Sequence, residues 1–354
     1  MPSAAQPPVV AVVIPCYRVS RHILAVLAGI GPECDRIYVV DDACPEGSGR
    51  LVEAECRDPR VSVLYHERNQ GVGGAVLTGY RAALAGGAEV IVKLDGDGQM
   101  DPALIPAFVE PIATGLADYT KGNRFFDLEG LEAMPRLRLA GNTALSFISK
   151  FSSGYWDLFD PTNGFTAIHA AVAARLPFGR LAQGYFFESD LLFRLNVMDA
   201  VVLDIPMRAR YGEEASGVAP LRVLPGFMAR HGANFIKRLF YTYLLRDFSM
   251  ASVQLLLGIP LVAFGVAFGA LEWAAAERAG VSASAGTVMV AALPIIVGFQ
   301  FLLFFLSYDM QHVPRIPYHR RLGGGRVGGE ASAGQDLAGA KARQTARRAP
   351  PPRS

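Results

Sequence analysis

The chain has 354 residues, 51% of them apolar and 19% charged, and a formal net charge of +2. A balance so near neutral, with aromatic residues not interleaved with basic ones as a base-stacking surface needs, excludes nucleic acid as a partner. The length holds one large domain or two smaller ones, and two long apolar runs come only after Ser249.

In chain order, residues 1–8 are Pro-rich and read as a flexible N-terminus, with no basic start before an apolar core and so no signal peptide. Residues 9–15 are a continuous β-branched run, the mark of a strand buried on both faces. A helix is expected around 21–29 and a second buried strand over 36–42, ending in Asp41-Asp42. After the turn at 45–49 a helix leads to Cys56, and a third strand spans 61–66. The turn Asn69-Gln70-Gly71-Val72-Gly73-Gly74 opens a helix over 75–85, and a fourth strand covers 89–94. Strands and helices alternating at these intervals predict a parallel, doubly wound α/β sheet. Cys16, Cys34, Cys44 and Cys56 contain no C-x-x-C pair and are expected as reduced thiols on a cytosolic face.

Just past the fourth strand stands Asp95-Gly96-Asp97-Gly98-Gln99. Two carboxylates and an amide oxygen on alternate residues can converge on one hard cation, and Mg²⁺ or Mn²⁺ takes such oxygen ligands together with substrate phosphates. Asp-Gly pairs are also ordinary turn formers. In doubly wound sheets ligands sit at the carboxyl ends of strands, where Asp41-Asp42 and Asp95/Asp97 both fall. Two acidic pairs with a glycine-rich turn between them suggest a nucleotide-diphosphate site with a bridging metal. Gly71-Val72-Gly73-Gly74 fits neither G-x-G-x-x-G nor G-x-x-x-x-G-K-[ST], which argues against a dinucleotide fold and a P-loop ATPase.

The ordered set Ile14-Pro15-Cys16-Tyr17, Val39-Val40-Asp41-Asp42, Arg68 to Ala75, Asp95 to Gln99, Gly122-Asn123-Arg124-Phe125, Asp160 to Phe165 and Phe187-Glu188-Ser189-Asp190 resembles the family-2 glycosyltransferases of GT-A fold. It looks most like the branch of dolichol-phosphate mannose synthases and bactoprenol glucosyltransferases. The resemblance covers roughly residues 9–215 and implies a GT-A domain over 9–219. It implies that Pro15, Tyr17, Val40 and Asp42 hold the base and ribose of a GDP- or UDP-linked sugar, with Asp41, Asn69, Asp95, Gly96 and Asp97 in the same nucleotide-sugar site. It implies further that Asp95, Asp97 and Gln99 hold Mg²⁺ or Mn²⁺ on the diphosphate and that Arg124 lies near the phosphates. Arg18 and Val19 stand where the family usually has an acidic residue, and Ala215 and Ser216 where some relatives carry a Lys, leaving Arg208 or Arg210 as the substitute. Each role has a plainer alternative. Asp41 could cap the following helix, Arg124 could form a surface ion pair, and Asp160 and Asn163 could either contact the acceptor or simply build a turn around Pro161 and Gly164.

Such an enzyme lets an acceptor oxygen attack the anomeric carbon and expels a nucleoside diphosphate. Glu188 and Asp190 are the catalytic candidates for a general base. The pattern Leu191-Leu192-Phe193-Leu195 points to a helix, so only one of the two faces the site, and resemblance favours Asp190. If the acceptor is a phosphate monoester, with its second pKa about 6, the acceptor is already ionised. Arginines that hold two anionic substrates together then matter more than a base, and Arg124, Arg136, Arg138 and Arg210 are the candidates.

Residues 251–273 and 286–307 are apolar stretches long enough to cross a hydrocarbon core of about 30 Å. Pro260 and Pro294 within them are tolerated in membrane helices. Residues 220–250 mix aromatic and aliphatic side chains with Lys and Arg, as amphipathic interfacial helices do, the alternative being packing against the preceding domain. Basic residues flank the pair (Arg315, Arg320 and Arg321 after it), whereas the connecting loop has only Arg278. Positive-inside reasoning then predicts a two-helix hairpin in the cell membrane with the catalytic domain and both ends cytoplasmic. Residues 309–354 are expected as a basic tail, largely disordered. The resulting expectation is a membrane-bound, metal-dependent, inverting transferase using polyprenyl phosphate, with homo-oligomer formation compatible. A transferase extending a glycan ranks second, since neither Trp156 nor Trp273 sits in a Q-x-x-R-W motif. A non-catalytic membrane scaffold ranks third.

Overall fold

The computed structural model describes residues 7–126, 136–208 and 220–322, and of 136–140, 142 and 220–223 the backbone alone. The chain divides into two compact units, Met1–Arg320 and Arg321–Ser354, and the sheet and long helices belong to the first. The first strands and helices follow from the apolar runs: β1 (Val10–Cys16), α1 (Ile23–Ala28), β2 (Arg36–Asp41), α2 (Ser48–Glu55), β3 (Val61–Tyr65), α3 (Val72–Ala85) and β4 (Val90–Lys93). Then come α4 (Ile105–Ala113), β5 (Tyr119–Asn123), α5 (Arg136–Ser153), β6 (Thr166–His169), α6 (Phe187–Val197) and β7 (Val202–Pro206). The seven strands form one sheet in the order β3-β2-β1-β4-β6-β5-β7.

The pairings β1 with β2 and β4, β2 with β3, and β5 with β7 are parallel, whereas β6 runs antiparallel to both β4 and β5. The sheet is therefore mostly parallel rather than wholly so. Both faces are covered, which is why β1 reads as an unbroken apolar run. Val13, Val40, Tyr80 and Leu191 pack on one side, and Val12, Ile14, Val39, Phe108 and Phe165 on the other. Register places Pro15 opposite Val40 and Cys16 opposite Asp41 on one flank of β1, and Val13 opposite Lys93 on the other. The ends of β1, β2 and β4 thus open on one edge.

Beyond the sheet, α7 (Pro220–Leu239) runs into a π-helical segment, Phe240–Arg246, and then α8 (Met250–Ala279) and α9 (Ala285–Gln311). Both α8 and α9 are long and apolar enough to cross a membrane, and they extend past the apolar stretches at either end. Ser249 and Ser252 form a capping box that starts α8. The two lie closely together, since a Cβ on Gly298 would stand 2.9 Å from the Gly258 carbonyl oxygen.

Two features of this half go beyond the sequence pattern. One face of α7 is not interfacial: His231, Asn234 and Arg238 are 2%, 5% and 2% exposed, turned onto α5 and α6, while Met228 and Ile236 face outward. The segment after α9 is not all tail either. Tyr318 and His319 donate backbone N–H bonds of 2.6 and 2.8 Å to the Asp118 carboxylate, and the His319 ring stacks on His169 at 4.2 Å. Asp118 and His319 are 201 residues apart in sequence, so no local pattern could announce this contact. Residues 323–354 lie outside the described part.

Candidate active site

The motif after β4 folds as a tight turn in which the Gln99 N–H donates to Asp97 Oδ1 at 3.0 Å and Gly98 takes φ 76°. Asp95, Asp97 and Gln99 are all partly exposed, in a segment where Leu94, Gly96 and Met100 are buried. A side chain at Gly96 would meet Ile23, Val19 and Ile14 within 3.3 Å, so the turn packs closely on β1 and the start of α1 here.

Lys93, the last residue of β4, is 1% exposed and was overlooked within its apolar run. Its Nζ lies 2.9 Å from Asp95 Oδ1 and 3.1 Å from Glu188 Oε1. Burial pulls its pKa down, but the Asp95 and Glu188 carboxylates more than offset this and hold the ammonium above its ordinary value. A Cβ on Gly164 would collide with both Asp95 and Lys93, so the turn from Asp160 to Phe165 presses directly against the motif. The strand end, the turn and the start of α6 therefore meet at one lysine.

Of the two catalytic candidates, Glu188 reaches this cluster and Asp190 does not. At 3.6 residues per turn, positions two apart on a helix point to opposite sides. Asp190 is 5% exposed and accepts bonds from the Ala182 N–H at 3.0 Å, Arg194 Nε at 3.2 Å and Asn234 Nδ2 at 3.3 Å. In this arrangement the Asp190 carboxylate holds the 182–183 turn through the Ala182 N–H. Gln183 O in turn accepts from the Gly73 and Gly74 N–H groups at 2.8 and 3.2 Å. The contact explains the glycines, since a Cβ on Gly73 would lie 2.5 Å from the Ala182 carbonyl oxygen.

The acidic pair after β2 is used differently. Asp41 Oδ1 and Oδ2 each accept a 2.7 Å bond, from the N–H of Cys44 and of Gly49, so it caps α2. Asp42 accepts from the Gln70 and Gly71 N–H groups at 2.8 Å each, with His66 Nδ1 at 2.7 Å from Oδ1. Asn69 braces the same turn through a 3.2 Å bond to the Asp42 carbonyl. Val40 is 0% exposed within the core, so its side chain cannot reach a nucleotide. Pro15 is half-buried and Tyr17 is 43% exposed at the cleft rim, with the Arg18 guanidinium 5.5 Å from the Tyr17 ring centre.

Arg124 is pre-paired rather than loose: Nε and Nη2 reach Asp160 Oδ2 and Oδ1 at 2.7 and 2.9 Å. Asp160 and Asn163 build the turn, with the Asn163 Oδ1 accepting from the Phe165 N–H at 2.9 Å. Burial pushes the Asp160 carboxyl up, but Arg124 and Lys121 outweigh this and hold it below its usual range. Lys121, also unforeseen, donates from β5 to the Asp160 and Asn163 carbonyls. Burial, partly offset by Asp160 and Asp204, draws its pKa down to about 8. Lys93 carries one available signal, a lysine closing a strand of apolar residues, whereas Lys121 sits in the mixed strand Tyr119–Asn123 and carries none. Arg210 lies outside the described residues, as do the side chains of Arg136 and Arg138 at the start of α5.

Among the described residues no group of three His, Cys, Asp or Glu side chains could hold a metal ion. The all-oxygen set of Asp95, Asp97 and Gln99 on one partly exposed turn fits instead a hard cation that completes its ligands from phosphate and water.

Residues 11–176 match the family described as Glycosyl transferase family 2. A Micrococcus luteus protein named undecaprenyl-phosphate mannosyltransferase is 30% identical over 200 residues, covering 55% of this chain and 81% of that one. A Methanococcus voltae protein named UDP-N-acetylglucosamine–dolichyl-phosphate N-acetylglucosaminyltransferase is 27% identical over 215 residues, covering 57% and 85%. Among solved structures, glucosyl-3-phosphoglycerate synthase from Mycobacterium tuberculosis, in complex with Mn²⁺, UDP-glucose and phosphoglyceric acid, aligns with a TM-score of 0.50 at 20% identity. That alignment covers 65% of this chain and 79% of the other, a likeness of fold. With a mostly parallel GT-A sheet and these relatives, the chain belongs to glycosyl transferase family 2 and is a glycosyltransferase.

Proposed function

We propose that this glycosyltransferase moves a sugar from a nucleoside diphosphate to a polyprenyl phosphate at a membrane surface, with inversion at the anomeric carbon. The observation that carries the acceptor class is the pair α8 and α9, two helices of span length in the same compact unit as the cleft. The names of the M. luteus and M. voltae relatives support the same class. In this reading the pair forms a membrane hairpin, the outward face of α7 with Met228 and Ile236 lies in the interface, and the cleft faces the cytoplasm, where sugar nucleotides are made.

Tyr17 and Pro15 are assigned to the nucleotide side, and Asp95, Asp97 and Gln99 would hold a Mg²⁺ or Mn²⁺ ion accompanying a GDP- or UDP-sugar. Such a cation would supply Lewis-acid stabilisation of the leaving diphosphate's charge. Lys93 fixes the Asp95 carboxylate in place before any ligand arrives, so no reorganisation is needed at the moment of reaction. Attack by an already ionised phosphate oxygen needs little help from a base. That suits a Glu188 whose carboxylate is committed to Lys93. Arg124, oriented by Asp160, and Arg136, Arg138 and Arg210 are assigned to the two anionic substrates.

The test is incubation of membranes containing the full chain with a panel of radiolabelled sugar nucleotides, followed by lipid extraction. Label should appear in the lipid phase, vanish with a chelator and return with Mg²⁺ or Mn²⁺. Label confined to polymer, or none with any donor, would overturn the reading.

A further inference from the structure

At the end of α9 lies a polar cluster with no part in the cleft. Asp309 is 3% exposed, and its carboxylate receives Arg238 Nη1 at 2.6 Å, Arg238 Nη2 at 2.9 Å, Tyr243 Oη at 2.6 Å and Trp156 Nε1 at 3.0 Å. These donors come from α7, from the π-helical segment and from the loop after α5. Arg238 is itself 2% exposed and also donates to the Phe151 carbonyl at 3.0 Å. A buried charge is costly unless every lone pair is met, and a single apolar contact would have joined these elements more cheaply. What the cluster adds is direction, because a bidentate guanidinium–carboxylate pair fixes angle as well as distance.

Arg238 also lies one turn from Asn234, on the same face of α7. Asn234 donates to Asp190 on α6 at 3.3 Å, and Glu188, two residues earlier, reaches Lys93 and the Asp95 motif. One helix thus grips the end of α9 with Arg238 and, through Asn234, the helix α6 that carries Glu188.

We propose that Asp309 and Arg238 form a clamp that fixes the cleft at one height and angle to the membrane hairpin, and so positions the site on a phosphate anchored in the bilayer. The inference rests on the lipid-acceptor reading above. A phosphate in the headgroup plane cannot move to meet a tilted cleft, and a misplacement of about 1 Å can cost about a hundredfold in rate. A freely diffusing acceptor finds the cleft at any tilt. Asp309 and Arg238 are positioning residues in this account.

The experiment compares wild type with Asp309→Asn, full-length and reconstituted in vesicles, on two acceptors: undecaprenyl phosphate in the bilayer and water-soluble citronellyl phosphate. Asp309→Asn should lower kcat on the bilayer acceptor about tenfold or more, with KM for the sugar nucleotide and turnover of the soluble acceptor within about twofold. Trp156→Phe, which removes one donor and keeps the ion pair, should show a smaller loss of the same selective kind and covers the event that Asp309→Asn fails to fold. Equal losses on both acceptors, or no loss on either, would overturn the clamp. Absence of lipid transfer by wild type would instead overturn the function on which the clamp rests.

Discussion

Asp41-Asp42 and Asp95/Asp97 are the same residue type at equivalent places, past the ends of the two strands that flank β1, yet one pair is closed and the other open. Asp41 and Asp42 are each 3% exposed, their oxygens filled by backbone N–H groups. The Asp95 side chain is 28% exposed and meets a single ammonium. What differs is the chain that follows. After β2 comes a helix start and nearby a glycine turn, both of which present N–H groups without partners of their own. After β4 the turn satisfies itself through Asp97 and Gln99. An acidic pair at a strand end is more available to a ligand where the surrounding backbone makes fewer demands on it.

The sharpest way to break that contrast is substitution in the open pair. Asp97→Ala should reduce transfer about a thousandfold, about 4 kcal/mol on the barrier, and abolish metal-dependent binding of sugar nucleotide in calorimetry. Its melting temperature should stay near wild type. Asp190→Asn should keep measurable transfer to a lipid phosphate; complete loss in both variants would mean that a base at Asp190 is needed. In the closed pair, Asp42→Ala should cost about 2 kcal/mol of stability by leaving the Gln70 N–H and His66 Nδ1 without a partner, while the Gly71 N–H keeps Asn69 Oδ1 at 3.1 Å. Denaturant unfolding measures this, and the folded fraction should still bind nucleotide with metal. A variant that unfolds normally but binds no nucleotide would show the closed pair to be a ligand site after all.

Much of this was legible in the sequence and some could not be. Strands β1 to β4 announce themselves because a parallel strand covered on both faces needs a continuous apolar run. The antiparallel insertion of β6 between β4 and β5 has no local sign, being decided by pairing between distant segments. Helical periodicity states that Glu188 and Asp190 diverge, but which one meets the motif depends on how α6 docks. Capping by Asp41 was one of two readings, and only the positions of the Cys44 and Gly49 N–H groups decide it. Lys93 stayed hidden because a charged residue in a buried strand looks like noise in an apolar pattern until its partners, 2 and 95 residues away, are seen.

Lys93 makes the open pair less open than its exposure suggests, and a double-mutant cycle sharpens how much. Lys93→Met leaves two carboxylates facing one vacated position, so it should lose stability and turnover together. Glu188→Gln in the same chain removes half of that repulsion. The two changes should therefore couple favourably, by about 2 kcal/mol in urea unfolding, while turnover recovers less than stability because Asp95 remains unanchored. Strict additivity would mean that the lysine is only a neighbour of both acids.

The smallest effect concerns pH. Two buried histidines outside both acidic pairs, His169 and His231, should weaken the fold as pH falls from about 6.5 toward about 4. Burial holds each pKa down at about 4, for His169 with the help of His319 stacked on it and against the pull of Asp118 and Glu89. His169 Nδ1 also accepts from the Ala171 N–H at 3.1 Å, a role it loses on protonation. For His231, whose ring is packed by Phe186 and Phe227, Nδ1 is 2.7 Å from Ser152 Oγ, and Nε2 is buried with no hydrogen-bond partner. In this window the unfolded chain binds more protons than the folded one, so stability rises with pH. It is fully present above about 6.5, the ordinary histidine value, and drains away as pH falls toward about 4. His169→Asn keeps a cap acceptor without a titrating ring. It should match wild type at pH 7.5 and flatten the slope of urea stability against pH below 6.5, leaving the share that belongs to His231. An unchanged slope in that variant would mean that His169 does not carry the acid weakness.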